Sequence, residues 1–152
     1  MTQPDVASLP AAADLPSVMA ESLFPAIIES SNDAILSKTL DGVITSWNPA
    51  ATRIFGYSAE EMLGQSVLCL FPAERLGEET LILQKIARGE RVDSFETVRL
   101  HKSGRPISVS VTVSPVRNAA GRIVGASKIA RDITAEIDNY RQLDQFRSLV
   151  TS

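Results

Sequence analysis

The stretch Ile107-Ser-Val-Ser-Val-Thr-Val-Ser114 limits the possible folds more than any other part of this chain. Val109, Val111 and Val113 alternate with Ser108, Ser110, Thr112 and Ser114. A period of two puts the valines on one face of a strand and the hydroxyls on the other, so the strand belongs to a sheet with one buried face. Its neighbours follow from the flanking runs. Val92–Lys102 leads into a Ser103-Gly104 turn, and Arg122–Thr134 follows the loop Arg117–Gly121. Upstream, Asp33–Trp47 divides into two shorter runs around Leu40-Asp41-Gly42, where Asp-Gly supplies a hairpin turn because glycine accepts positive φ. Two strands, a helical stretch and three more strands predict an α+β domain with an antiparallel sheet.

The helical stretch carries its own punctuation. Asn48-Pro49 reads as an N-cap followed by proline at the first helical position, and Gly56 ends that helix. Ser58 and Glu61 form a capping box for a single further turn, halted at Gly64. Pro72 to Arg88 reads as a longer helix with Leu76, Leu81, Leu83, Ile86 and Ala87 as its apolar contacts and Gly89 as its stop.

Residues 1–16, rich in alanine with prolines at Pro4, Pro10 and Pro16, read as a flexible leader. A flanking helix over 17–30 carries Val18, Met19, Leu23, Ala26 and Ile27 on one side, with Pro25 kinking or dividing it. Residues 31–134 form the domain, and 135–152 a C-terminal helix. In that tail Ile137, Tyr140, Leu143, Phe146 and Val150 recur at three- and four-residue steps. Such a stripe serves either as a coiled-coil seam between two copies or as a face folded back on the domain; its regularity favours the seam. The tail reaches Ser152 without a stop signal, so a longer parent protein is expected.

Composition excludes several classes. A net charge of -3 over 152 residues, with no basic run, predicts neither a nucleic-acid partner nor membrane contact. No apolar run approaches the ~18 residues of a membrane span. One cysteine, Cys69, rules out an intramolecular disulfide and suits a cytoplasmic location. No cluster with metal-ligand spacing is present, and the lone His101 belongs to a polar hairpin turn where an exposed side chain is the expectation. Catalytic residues are not predicted.

Four motifs in order (Asn48-Pro49, Phe55-Gly56-Tyr57, Lys102-Ser-Gly104 and Asp132-Ile133-Thr134) resemble the PAS sensor-domain family of S-box type, over roughly Glu29 to Thr134. The resemblance implies a five-stranded antiparallel sheet with short helices over one face, plus the N- and C-terminal flanking helices. It implies a sensory or dimerising module in a signal-transduction protein, with a downstream effector in the same chain such as a histidine kinase of a two-component system or a diguanylate cyclase/phosphodiesterase. The ligand pocket of the family maps onto Trp47, Asn48, Phe55, Met62, Cys69, Arg99, Val109, Val111 and Ala130, and an unidentified small molecule is the partner that such a pocket implies. Asp132, Ile133 and Thr134 map onto the relay into the C-terminal helix, and the tail onto a homodimeric coiled coil.

A flavin- or haem-binding light or redox sensor is the alternative. The photoreactive cysteine of the related flavin domains stands three residues after a glycine; here Val67 holds that place and Cys69 lies two further on. Val109, Arg99 and Ala130 stand where those domains carry two asparagines and a glutamine. FAD or FMN is thus a secondary expectation. Haem ranks lower, because Pro72–Arg88 lacks histidine, leaving Cys69 as a substitute ligand. The prediction is that no cofactor is bound. Cys69 is expected to be a small buried apolar group, and Trp47 a packing residue ahead of a stacking platform. Arg99 stays open between two faces: inward with Phe95 and Thr97, where it meets a carboxylate, or outward as a solvated charge, the reading slightly preferred.

Overall fold

A computed structural model describes residues 23–151. The expected leader, and the part of the flanking helix over 17–22, lie outside the described residues. What remains of that helix is α1 (Phe24–Ser30), begun by Pro25 in its first turn. Strands β1 (Ala34–Thr39) and β2 (Ile44–Trp47) form the expected hairpin, with Gly42 at φ 83°.

Two short helices follow, α2 (Pro49–Phe55) and α3 (Ala59–Met62), with the caps that the sequence specifies. The Asn48 side chain accepts from Ala51 N–H, Gly56 closes α2 in the left-handed region, and Ser58 and Glu61 cap each other's backbone. The sheet is completed by β3 (Val92–Leu100), β4 (Pro106–Arg117) and β5 (Ile123–Asp132) in the order β2-β1-β5-β4-β3, every pairing antiparallel. Helix α5 (Thr134–Thr151) leaves directly from β5.

The expected helix over Pro72–Arg88 is shorter and turned differently. Ala73–Arg75 is a 3-10 turn, and α4 (Leu76–Ala87) begins after it. Its buried face is Glu79, Ile82 and Ile86; Leu76, Leu81 and Ala87 are exposed. The i, i+3, i+7 spacing of the buried set is helical. It includes a glutamate because a lysine waits beneath it, so an ion pair rather than the leucines sets the rotation of α4.

Valines 109, 111 and 113 all face the core, as their alternation requires. Strand β3 inverts the usual polarity. Thr97 and Arg99 point inward, while Val98 and Leu100 lie half-buried on the outer face. Strand β5 repeats this, with Lys128 buried and Ile129 44% exposed.

Candidate functional site

The part of the core that α2 covers is apolar and buried. Phe55, Met62, Val109, Val111 and Ala130 are buried in one cluster with Trp47. Trp47 packs against Phe55 at 5.7 Å between ring centroids, and its indole N–H donates to Tyr57 O at 3.0 Å and Thr52 Oγ1 at 3.1 Å. With its polar end satisfied, this tryptophan holds the middle and end of α2 against the sheet. Asn48 spends its whole side chain on structure. Oδ1 accepts from Ile35 N and Ala51 N, and Nδ2 donates to Ile28 O and Asp33 O. These bonds tie α1, β1 and α2 at one point and leave the amide nothing to offer a ligand.

The core beneath α4 is built of charge. Lys38 from β1, Arg99 from β3 and Lys128 from β5 are each at most 2% exposed. Two consecutive glutamates of α4 answer them. Glu79 Oε1 accepts from Lys38 Nζ at 2.5 Å, and Glu78 Oε1 accepts from Arg99 Nη1 at 3.0 Å. Glu78 also accepts from Thr97 and Arg75. The Phe71 ring covers the face of the Arg99 guanidinium, 3.8 Å from its central carbon, and Lys128 Nζ lies 5.4 Å from the same ring.

Burial lowers the pKa of all three cations. For Lys38 and Arg99 the paired glutamates offset part of the effect. Lys128 is pushed down furthest, first by desolvation and then by the like charges of Arg99 and Lys38. Burial also acts on Glu78, but hydrogen bonds from Arg75, Thr97 and Arg99 together hold its carboxyl below the ordinary range.

At the far end of β5 the chain is stitched into α5. Asp132 Oδ1 accepts from Thr134 N at 2.9 Å, Ile133 N donates to Ser108 O, and Thr134 Oγ1 accepts from Ser108 N. The first turn of the outgoing helix is thereby fixed to β4 as well as to β5. Beyond Ile137, which is half-buried, Tyr140, Leu143, Phe146 and Val150 are 65–71% exposed, so this stripe does not fold back on the domain.

The family described as the PAS fold matches residues 22–133, most of the chain and all of the sheet. The chain belongs to the PAS family. Among its relatives, the signal transduction histidine-protein kinase AtoS of Escherichia coli is 31% identical over 125 residues, which are 82% of this chain and 20% of the kinase. The chain thus spans about a fifth of that relative's length. A PAS domain from Colwellia psychrerythraea superposes with a TM-score of 0.70 at 27% identity, covering 76% of this chain and 98% of that domain. An RNA-binding light-oxygen-voltage receptor gives a TM-score of 0.68 at 26% identity, over 99% of this chain and 42% of the receptor.

Within this PAS domain, the nine pocket positions separate into three environments. Trp47, Phe55, Met62, Val109, Val111 and Ala130 pack on one another, and Asn48 is a structural tie. Cys69, expected to be buried, is exposed. The 3-10 turn Val67–Leu70 sends Val67 and Leu70 inward and leaves Leu68 and Cys69 outward, with Cys69 beside Tyr57, Glu61 and Gln65. Desolvation by these neighbours still raises its thiol pKa, so it is not an activated nucleophile. Arg99 takes the inward of its two orientations, against the preferred surface reading, and meets a carboxylate of this chain, Glu78. His101 is half-buried rather than exposed, its ring lying against Gly56 where a Cβ would come within 2.5 Å.

Sequence reasoning missed Lys38, Glu78, Glu79 and Lys128. A signal was present: Ala34-x-Leu36-x-Lys38 and Ala126-x-Lys128-x-Ala130 each put a lysine on the same alternating row as small or apolar residues. Among the described residues no group of histidine, cysteine and carboxylate side chains is arranged to hold a metal ion, and no helix is long and apolar enough to cross a membrane.

Proposed function

We propose that this chain is the sensory and dimerising PAS module of a cytoplasmic signal-transduction protein, which passes the state of its interior to an effector through α5. The observation that carries this reading is the continuity of one strand. Strand β5 holds Lys128 in the buried charge cluster and, four residues on, about 13 Å at the rise of a strand, Asp132 at the cap of α5. A change in how α4 and the cluster pack reaches the tail without crossing a loop. Two packings of α5 favoured by two states of the interior make the switch.

Pairing of two copies is supported by apolar surface on the elements that flank the domain. Phe24 and Ile27 of α1 are 50% and 53% exposed, and Tyr140, Leu143 and Phe146 of α5 are 65–71% exposed. Burying such surface is worth roughly 25 cal/mol for each Å², and a two-fold arrangement sets the two outgoing helices side by side. The kinase among the relatives supports a histidine kinase as the parent; catalysis then resides outside this module.

The flavin alternative is disfavoured by the filled apolar core, by exposed Cys69 and by Val109 and Ala130 at positions where polar contacts to the ring are needed. Sedimentation at tens of micromolar, about the working range of a weak dimer, tests the module. Wild type is expected to be dimeric, and Leu143→Glu with Phe146→Glu monomeric and folded. A monomeric wild type would remove the pairing. An absorption spectrum of the same sample is expected to be colourless; bands in the blue would restore the cofactor reading.

A further inference from the structure

Four buried side-chain nitrogen and oxygen atoms among the described residues have no hydrogen-bond partner, and all four lie on one cluster: Arg99 Nε, Arg99 Nη2, Lys128 Nζ and Glu79 Oε2. Buried polar groups are ordinarily satisfied, so unpartnered atoms gathered in one place call for a missing partner. Three of them are donors on cations. The three buried cations, Lys38, Arg99 and Lys128, outnumber Glu78 and Glu79, and Glu78 also serves the more exposed Arg75.

The geometry of Arg99 narrows the choice. Its Nη1 is fully engaged, donating to Glu78 Oε1, Thr97 Oγ1 and Val98 O. Phe71 blocks one face. What remains is the side edge, where Nε–H and Nη2–H point the same way as a two-pronged fork. That fork matches the two oxygens of a planar carboxylate.

We propose that this cluster is a binding site for a small organic monocarboxylate, seated on the free edge of Arg99 and charge-matched by Lys128. This deepens the sensory reading above by naming the class of signal, and it rests on that reading only for its consequence. Seating an anion there adds a partner without displacing Glu78 from Nη1. It favours the charged form of Lys128, which desolvation and the charges of Arg99 and Lys38 otherwise disfavour. Glu79 Oε2 offers an acceptor to a hydroxyl on the same molecule or to the recharged Lys128. A surface depression of about 390 Å³ beside α4, lined by Gly42, Leu68, Gly77 and Thr80, reaches Glu79 of the cluster; Arg99 and Lys128 lie deeper and do not line it.

The test is protein-observed NMR titration of the full chain with acetate, propionate and lactate, against chloride and inorganic phosphate at matched ionic strength. Saturable shifts centred on Lys38, Arg99 and Lys128 are expected for the carboxylates, with affinity rising as pH falls because binding takes up a proton. Lys128→Met, which removes an unpartnered ammonium and keeps the side-chain length, is expected to stay folded and to lose at least about tenfold in affinity, the factor that 1.4 kcal/mol represents. Arg99→Lys keeps the charge but not the fork and is expected to lose as much.

Absence of saturable shifts at about 50 mM carboxylate, where a millimolar Kd would be saturated, overturns the site while leaving the sensory reading intact. Equal shifts from chloride or phosphate, or undiminished affinity in Lys128→Met, overturn it as well. Carboxylate binding that leaves Thr134–Thr151 unchanged upholds the site and counts instead against the relay.

Discussion

Under α2, Asn48 makes four hydrogen bonds through one amide, Trp47 finds two acceptors for one N–H, and the space between is hydrocarbon. Under α4, three cations and two carboxylates share a region where four polar atoms go unmatched. Both regions lie between a helix and the sheet, yet only one satisfies every side chain it buries. The α2 region has a single arrangement in which its bonds close, so it acts as a fixed frame. The α4 region is held by ion pairs whose balance depends on protons and anions. A buried pair returns little net stability for its desolvation cost, which leaves that region free to be the part that changes.

The largest effect is expected in the frame. Phe55→Ala removes a fully buried ring and should cost about 4 kcal/mol in denaturant unfolding. Asn48→Ala removes the acceptor of Ile35 N–H and the donor to Ile28 O and Asp33 O, while Ala51 N–H keeps the backbone carbonyl of residue 48, and should cost about 2 kcal/mol, at 1–3 for a buried donor. A loss under about 1 kcal/mol for either would mean that the α2 region is not the rigid half.

The charge region should answer differently. Lys128→Met exchanges an unpartnered buried cation for a neutral chain of similar length and should be neutral or stabilising by up to about 2 kcal/mol. The pH dependence carries the same contrast. The pKa of Lys128 is lowered in the folded state, so between that value and the ordinary lysine value the unfolded chain binds a proton that the folded chain does not. Wild-type stability should therefore rise as pH climbs through the lowered value toward the ordinary lysine value of about 10. Lys38 adds a slope of the same sign, opposed by the raised thiol of Cys69. The difference between wild type and Lys128→Met isolates the Lys128 part. Matching pH profiles for the two proteins would show that this lysine keeps its charge when buried.

Those two regions also mark what could be read from the chain beforehand. The frame was legible because its determinants are local: Asn48-Pro49, Gly56, the Ser58–Glu61 box and the Asp41-Gly42 turn act within a few residues of themselves. The valine row of β4 was legible because one face is apolar and the other is not. The charge cluster was not, because Lys38 meets Glu79 across 41 residues and Arg99 meets Glu78 across 21. On β3 and β5 the outer face is also apolar, so period two could not say which row was inside. The rotation of α4 was lost for the same reason: Leu76 and Leu81 are exposed, and a glutamate joins Ile82 and Ile86 on its buried face.

A smaller effect is expected at the junction. Asp132→Ala removes the carboxylate that accepts from Thr134 N and should loosen α5 by about 1 kcal/mol, leaving the sheet intact. Faster hydrogen exchange confined to Thr134–Val150 would fit a cap that serves only the tail. Unchanged exchange there would shift the coupling onto the Ile133 and Thr134 bonds to Ser108.

The central claim is that the α4 region is coupled to the outgoing helix while the α2 region stays fixed. Hydrogen exchange mass spectrometry of wild type and Lys128→Met, at a pH where both are folded, tests it most directly. The account predicts altered exchange in both Leu76–Ala87 and Thr134–Val150, with Ile35, Asn48 and Ala51 protected as before. Altered exchange in α4 alone, with α5 identical in the two proteins, would contradict it.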